Sequence, residues 1–231
     1  MAKNGKNVKV ALLTVLIITA VAVAYFGMLY MAAAPKLNSA QQTSQSGSGQ
    51  KGAAVLAYTI YFADGTMKTF ESQTPYNGQL AVWTDTLYVN NKAITGVQVD
   101  CKVTLNSGGV AVSGWSSNVA QRIELYKSGQ TQPLISSTAS YPNSGTAWGD
   151  GETKTVSSIS LASGQLEAAI AQYGGSGTYS VQTVDQVSLT VTTQQGSNVQ
   201  LSGSATGTLV LQYVNEAVMS ISVSVPTTPL Y

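Results

Sequence analysis

The stretch GVQVDCKVTLNS, residues 96–107, alternates without a break: Val97, Val99, Cys101, Val103 and Leu105 fall on one side of an extended chain, Gln98, Asp100, Lys102 and Thr104 on the other. A helix would scatter these residues around its axis, so the period of two demands a strand with one buried face. The pattern recurs along the chain. VLAYTIYFADGTMKTFES reads as a hairpin turning at Asp64-Gly65, a pair that tolerates the positive φ of tight turns. QLAVWTDTLYV, GVAVSGW, QRIELYK and PLISSTASY read as further strands, as do KTVSSISL, GTYSVQTVDQVSLTVTT, NVQLSGSATGTLVLQYV and AVMSISVSV. In the last of these, Met219, Ile221, Val223 and Val225 are expected to share a face. About ten short strands broken by Asn, Gly, Ser and Pro predict an antiparallel β-sandwich, Ig-like or jelly-roll, rather than alternating strand and helix units.

One segment departs from this period. In SGQLEAAIAQYGG, Leu166, Ala169, Ile170 and Tyr173 mark a helical face. Ser163 is placed to cap the start and Gly174 to end the helix in a left-handed conformation. A crossover helix near 164–173 between two sheets is expected.

A second constraint lies upstream. Val10 to Ala33 carries no charged side chain, and about 20 helical residues suffice to cross the hydrocarbon core. Lys3, Lys6 and Lys9 precede it without an acid, which holds the N-terminus in the cytoplasm, or inside a virion, and sends the C-terminal bulk out. Tyr25, Phe26 and Tyr30 are expected at the membrane interface near the exit end. Ala32 and Ala34 also form the A-x-A arrangement that signal peptidase accepts, so cleavage stands as the alternative; the length of the apolar run favours a retained signal-anchor. The organisation that follows is a cytoplasmic stub over 1–9, a transmembrane helix over 10–33, a flexible Ser/Gln/Gly-rich polar tether over 34–52, and an exported domain over 53–231.

From Ala34 onward eight Lys and Arg face ten Asp and Glu. With no basic patch to neutralise phosphates, nucleic acid is not an expected partner. Histidine is absent and Cys101 stands alone, which removes imidazole-dependent hydrolysis, the preferred zinc ligands and any intramolecular disulfide. The lack of histidine and the uncharged polar surface suit an acidic or hot exterior. No phosphate loop or dinucleotide fingerprint occurs, and no cofactor is expected. The carboxylates Asp64, Glu71, Asp85, Asp100, Glu124, Asp150, Glu152 and Asp185 are too dispersed to mark the acid pair of a glycosidase.

Two local features remain as candidate sites. In WGDGET, residues 148–153, Asp150 and Glu152 stand two apart in a Gly-rich loop and are weak candidate metal ligands for calcium, without the further oxygens of an EF-hand. Trp115 and Trp148 lie beside Gly and Ser in expected loops and are candidate interaction residues.

The order of SISL, the helical turn and GTYSV resembles the E-to-F passage of immunoglobulin-like domains, in which a tyrosine sits at the corner near the start of strand F. Tyr179 takes that place here, while the paired cysteines and the strand-C tryptophan of antibody domains are missing. More broadly, an anchor, a polar tether and a His-free, Ser/Thr/Tyr-rich β domain resemble the envelope and virion proteins of thermoacidophilic archaea and their viruses. The resemblance implies a non-enzymatic structural or docking protein whose partners are the lipid bilayer, envelope, filament or capsid proteins, or further copies of itself. Two alternatives stay open: an extracellular module binding glycan or calcium, and a secreted pilin-like subunit that assembles by strand addition after cleavage near Ala34.

Overall fold

The computed structural model describes residues 51–72, 81–161 and 164–231, all within one compact unit, Ser48–Tyr231. The expected transmembrane segment, the tether up to residue 50 and the interface residues Tyr25, Phe26 and Tyr30 lie outside the described residues. Among the described residues no helix is long and apolar enough to cross a membrane.

Eleven strands and one helix follow in order: β1 (Gly52–Phe62), β2 (Met67–Phe70), β3 (Val82–Lys92), β4 (Ile94–Leu105), β5 (Val112–Lys127), β6 (Ile135–Gly145), β7 (Thr153–Leu161), α1 (Gln165–Gln172), β8 (Gly177–Thr193), β9 (Asn198–Val214), β10 (Ala217–Pro226) and β11 (Thr228–Leu230). They form two antiparallel sheets. The first runs β11-β1-β4-β7, with β2 also paired to β1; the second runs β3-β10-β9-β8-β5-β6. This is the expected mainly-β, sandwich-like class.

The core lies between the sheets. Val97, Val99, Cys101, Val103 and Leu105 are all 2% exposed or less, as their alternation requires. The facing sheet contributes Val119, Ile123, Val181, Leu189, Leu209 and Leu211, each fully or almost fully buried. Each such side chain stabilises the fold by about 1.5–3 kcal/mol relative to an exposed one.

The β1–β2 hairpin turns as expected, with Gly65 at φ 80°. The Asp64 carboxylate accepts the Thr66 amide at 3.0 Å and pairs with Lys92 at 2.8 Å, which holds its pKa well below the ordinary carboxylate range.

Two local expectations are corrected. GVAVSGW and QRIELYK do not form separate strands: β5 runs unbroken from Val112 to Lys127. Ser116, Ser117 and Asn118 pair with β6 on one side and β8 on the other, and a central position in the sheet satisfies the backbone of residues that would otherwise favour turns. Met219 does not share a face with Ile221, Val223 and Val225. A register shift between Val218 and Ser220 places Val218 inside at 0% exposure and leaves Met219 39% exposed. Helix α1 is preceded by Gly164 at φ 84°, and the expected cap Ser163 lies outside the described residues.

The helix does bridge the two sheets, linking β7 to β8. It buries Leu166, Ala169 and Ile170, and Gly174 follows at φ 92°. Tyr179, wholly buried, donates its hydroxyl to the Ile170 carbonyl at 3.4 Å and ties strand β8 to the end of α1.

Candidate functional site

The residues singled out in the sequence gather at one end of the sandwich. Trp115, on β5, and Trp148, in the β6–β7 connection, meet edge to face with ring centres 4.9 Å apart. Both indole N–H groups are engaged: Trp115 donates to the Ala147 carbonyl at 3.2 Å and Trp148 to the Glu152 carbonyl at 2.9 Å. Trp148 is only 3% exposed, so it packs the loop and offers no surface to a partner. Trp115 is partly buried and lies over Gly145, where a Cβ would come within 2.6 Å of the indole nitrogen. Sequence spacing could not reveal this pairing, because the β5–β6 register is what brings Trp115 opposite Gly145.

Asp150 and Glu152 do not converge. The Asp150 carboxylate accepts the Ser107 amide at 2.7 Å, the Ser107 hydroxyl at 3.2 Å and the Gly109 amide at 3.0 Å, stapling the β4–β5 connection. Glu152 accepts the Gly149 amide at 2.7 Å and pairs with Lys154 at 2.8 Å. Both pKa values are held down, that of Asp150 mainly by the Ser107 amide and that of Glu152 mainly by Lys154. Among the described residues no group of three Cys, Asp or Glu side chains is placed to hold a metal. Beside the stapled loop lies an apolar cleft of about 420 Å³, lined by Leu105, Val112, Val191, Val199 and Leu201 with Lys51.

A second constellation lies inside the sandwich, and the sequence reading passed over it. Along β8 the inward positions are Tyr179, Val181, Thr183, Asp185, Val187, Leu189 and Val191, so two polar residues interrupt an apolar face. Along β5, Gln121 does the same between Val119 and Ile123. Alternation itself carries this signal: Asp185 and Gln121 stand in the register of core residues. The β5–β8 ladder sets them directly opposite each other, and both are buried, at 0% and 1% exposure.

The other sheet completes the polar layer. Cys101 of β4 lies near enough to Asp185 to interact with its carboxyl, and Ser157 of β7 is the ladder partner of Cys101. Tyr58 of β1 reaches across to Thr183, its hydroxyl resting where a Cβ on Gly207 would be 2.7 Å away. Gln121 donates its amide to the Val99 carbonyl at 3.1 Å and thereby ties one sheet to the other. Its Oε1 and both oxygens of Asp185 have no partner of good hydrogen-bond geometry. Burial pushes the Asp185 carboxyl up to about 7, against the lowering effect of Cys101 and Gln121. Burial likewise raises the Cys101 thiol well above its usual value, with the Asp185 charge adding to the effect. A thiol held neutral in this way is a poor nucleophile.

Comparisons with known protein families, with curated proteins and with solved structures found no match to this chain.

Proposed function

We propose that this chain is a membrane-tethered, non-enzymatic structural or docking protein of a cell envelope, surface filament or virion, with its β domain outside. The observation that carries the contact reading is strand β3. It closes one end of the six-stranded sheet, pairs β10 along one side and has no strand partner on the other among the described residues. Val82 and Tyr88 on this strand are 64% and 83% exposed. An open 11-residue edge with an exposed aromatic is the platform that strand addition uses. The opposite edge strand, β6, carries Pro142, which lacks an amide hydrogen and blunts pairing.

The strand order supports the Ig-like form of the sandwich. β1, β4 and β7 stand in the order of strands A, B and E, and β6, β5, β8 and β9 in that of C′, C, F and G, with Tyr179 near the start of the F equivalent. The uncharged run from Val10 to Ala33 supports the tether, and the placement of Asp150 and Glu152 on backbone donors and Lys154 weighs against the calcium alternative.

The test uses a Tyr88→Cys variant of the full chain. Cys101 is buried, so the new thiol is the reactive one and takes a photo-crosslinker in native membranes or particles. The expected result is a discrete adduct with a second copy or one envelope component. Labelled chain that stays monomeric under all assembly conditions refutes docking through this edge.

A further inference from the structure

The layer around Asp185 excludes water and, among the described residues, gives its carboxyl neither a hydrogen bond of good geometry nor a cation. Gln121, directly across the β5–β8 ladder, gives one amide hydrogen to Val99, and its carbonyl oxygen, like the hydroxyls of Tyr58, Thr183 and Ser157, has no partner of good geometry. An ionised Asp185 would add two acceptor oxygens beside it. A neutral carboxyl supplies one O–H, which matches the unsatisfied acceptor. The remaining groups facing this layer are Cys101 from β4, Tyr58 from β1, Thr183 on the same strand and Ser157 from β7 behind the thiol. The charge of Asp100 acts on Cys101 and disfavours further negative charge there. No basic group acts on Asp185 among the described residues. An uncompensated carboxylate wholly excluded from water is costly, and the group neutralises instead.

We propose that Asp185 is a buried proton site that couples the stability of the sandwich to acidity: the neutral carboxyl sits without charge in the layer between the two sheets, with its O–H available to the Gln121 carbonyl across the β5–β8 ladder, and loss of its proton to solvent loosens the sandwich. The sign follows from linkage. The carboxyl binds its proton more tightly when folded, with a pKa of about 7 against an ordinary 3.8, so the stabilising contribution is complete below the ordinary value and is lost as pH rises towards the folded one. Within that window the folding equilibrium weakens about tenfold per pH unit. The chain has no histidine to produce a competing transition there.

The test follows denaturation of the full chain in detergent micelles from pH 3 to 8, for wild type and for Asp185→Asn. The wild-type folding equilibrium is expected to weaken as pH rises through this window. Asp185→Asn, isosteric and unable to ionise, is expected to flatten the profile and to be the more stable form at neutral pH. Parallel profiles for the two chains overturn the proposal, as does a wild type that gains stability between pH 4 and 7. A direct reading needs no variant to fold. The side-chain carboxyl carbon of Asp185, followed by NMR in the folded wild type, should report a protonated acid at pH 5; an ionised carboxylate at that pH also overturns it.

Discussion

At the scale of single residues, the interior shows how closely the polar layer is fitted. Gly207 lacks a side chain because the Tyr58 hydroxyl occupies the space, with Leu56 a further neighbour at 3.1 Å from a Cβ there. Gly207→Ala should therefore force Tyr58 or β1 to shift and cost about 1–3 kcal/mol, measurable by chemical denaturation. Cys101 offers a second check. With 0% exposure and burial disfavouring the thiolate, it should resist maleimide and disulfide reagents in the native chain and react fully in denaturant. Rapid labelling of the folded chain would contradict the placement of this strand face. The inward position of Cys101 was legible from alternation alone. That the thiol faces a carboxyl and a carboxamide was not, because those groups arrive on the other sheet from Gln121 and Asp185, which stand 20 or more positions further along the chain.

At the scale of elements, register decides what period-two reading leaves open. The irregularity between Val218 and Ser220 reverses the faces of two neighbours, so Val218→Ala should cost about 2 kcal/mol, while Met219→Ala, at an exposed site, should be nearly neutral. Equal losses at both positions in thermal melts would mean that the strand pairs without this shift. Helix α1 is legible from its apolar spacing and from Gly174, yet its coupling to β8 through Tyr179 and the Ile170 carbonyl is a tertiary feature. Tyr179→Phe removes that hydroxyl from a buried setting and should cost about 0.5–1.5 kcal/mol. The continuous β5 makes the same point from the other direction. Ser and Asn residues that read as a break are held extended because both edges of the strand are paired.

At the scale of the whole molecule, two sets of carboxyls act in opposite senses on stability. Asp64, Asp150 and Glu152 are held below their ordinary range by Lys92, the Ser107 amide and Lys154, so what they contribute is present at higher pH and is lost as pH falls through their lowered values. Asp185 acts the other way across the window above the ordinary carboxylate range. Stability of the full chain should therefore pass through a maximum at mildly acid pH, near the ordinary carboxylate range of about 4, and decline on both sides. A maximum at neutral or alkaline pH, read from melting temperature against pH, would exclude this balance.

The sequence by itself determined the fold class, the buried faces of most strands, the crossover helix and the exclusion of imidazole chemistry, because alternation, apolar spacing and composition act locally along the chain. The tertiary structure decided what no local pattern encodes. It joined Trp115 to Trp148, spent Asp150 on the backbone of a loop some 40 residues earlier in the chain, reversed Met219 and Val218, and set Asp185 against Gln121 beneath Cys101. The physical reason is shared: strand register and sheet order fix which side chains meet, and both are settled by long-range pairing and packing rather than by neighbours in sequence.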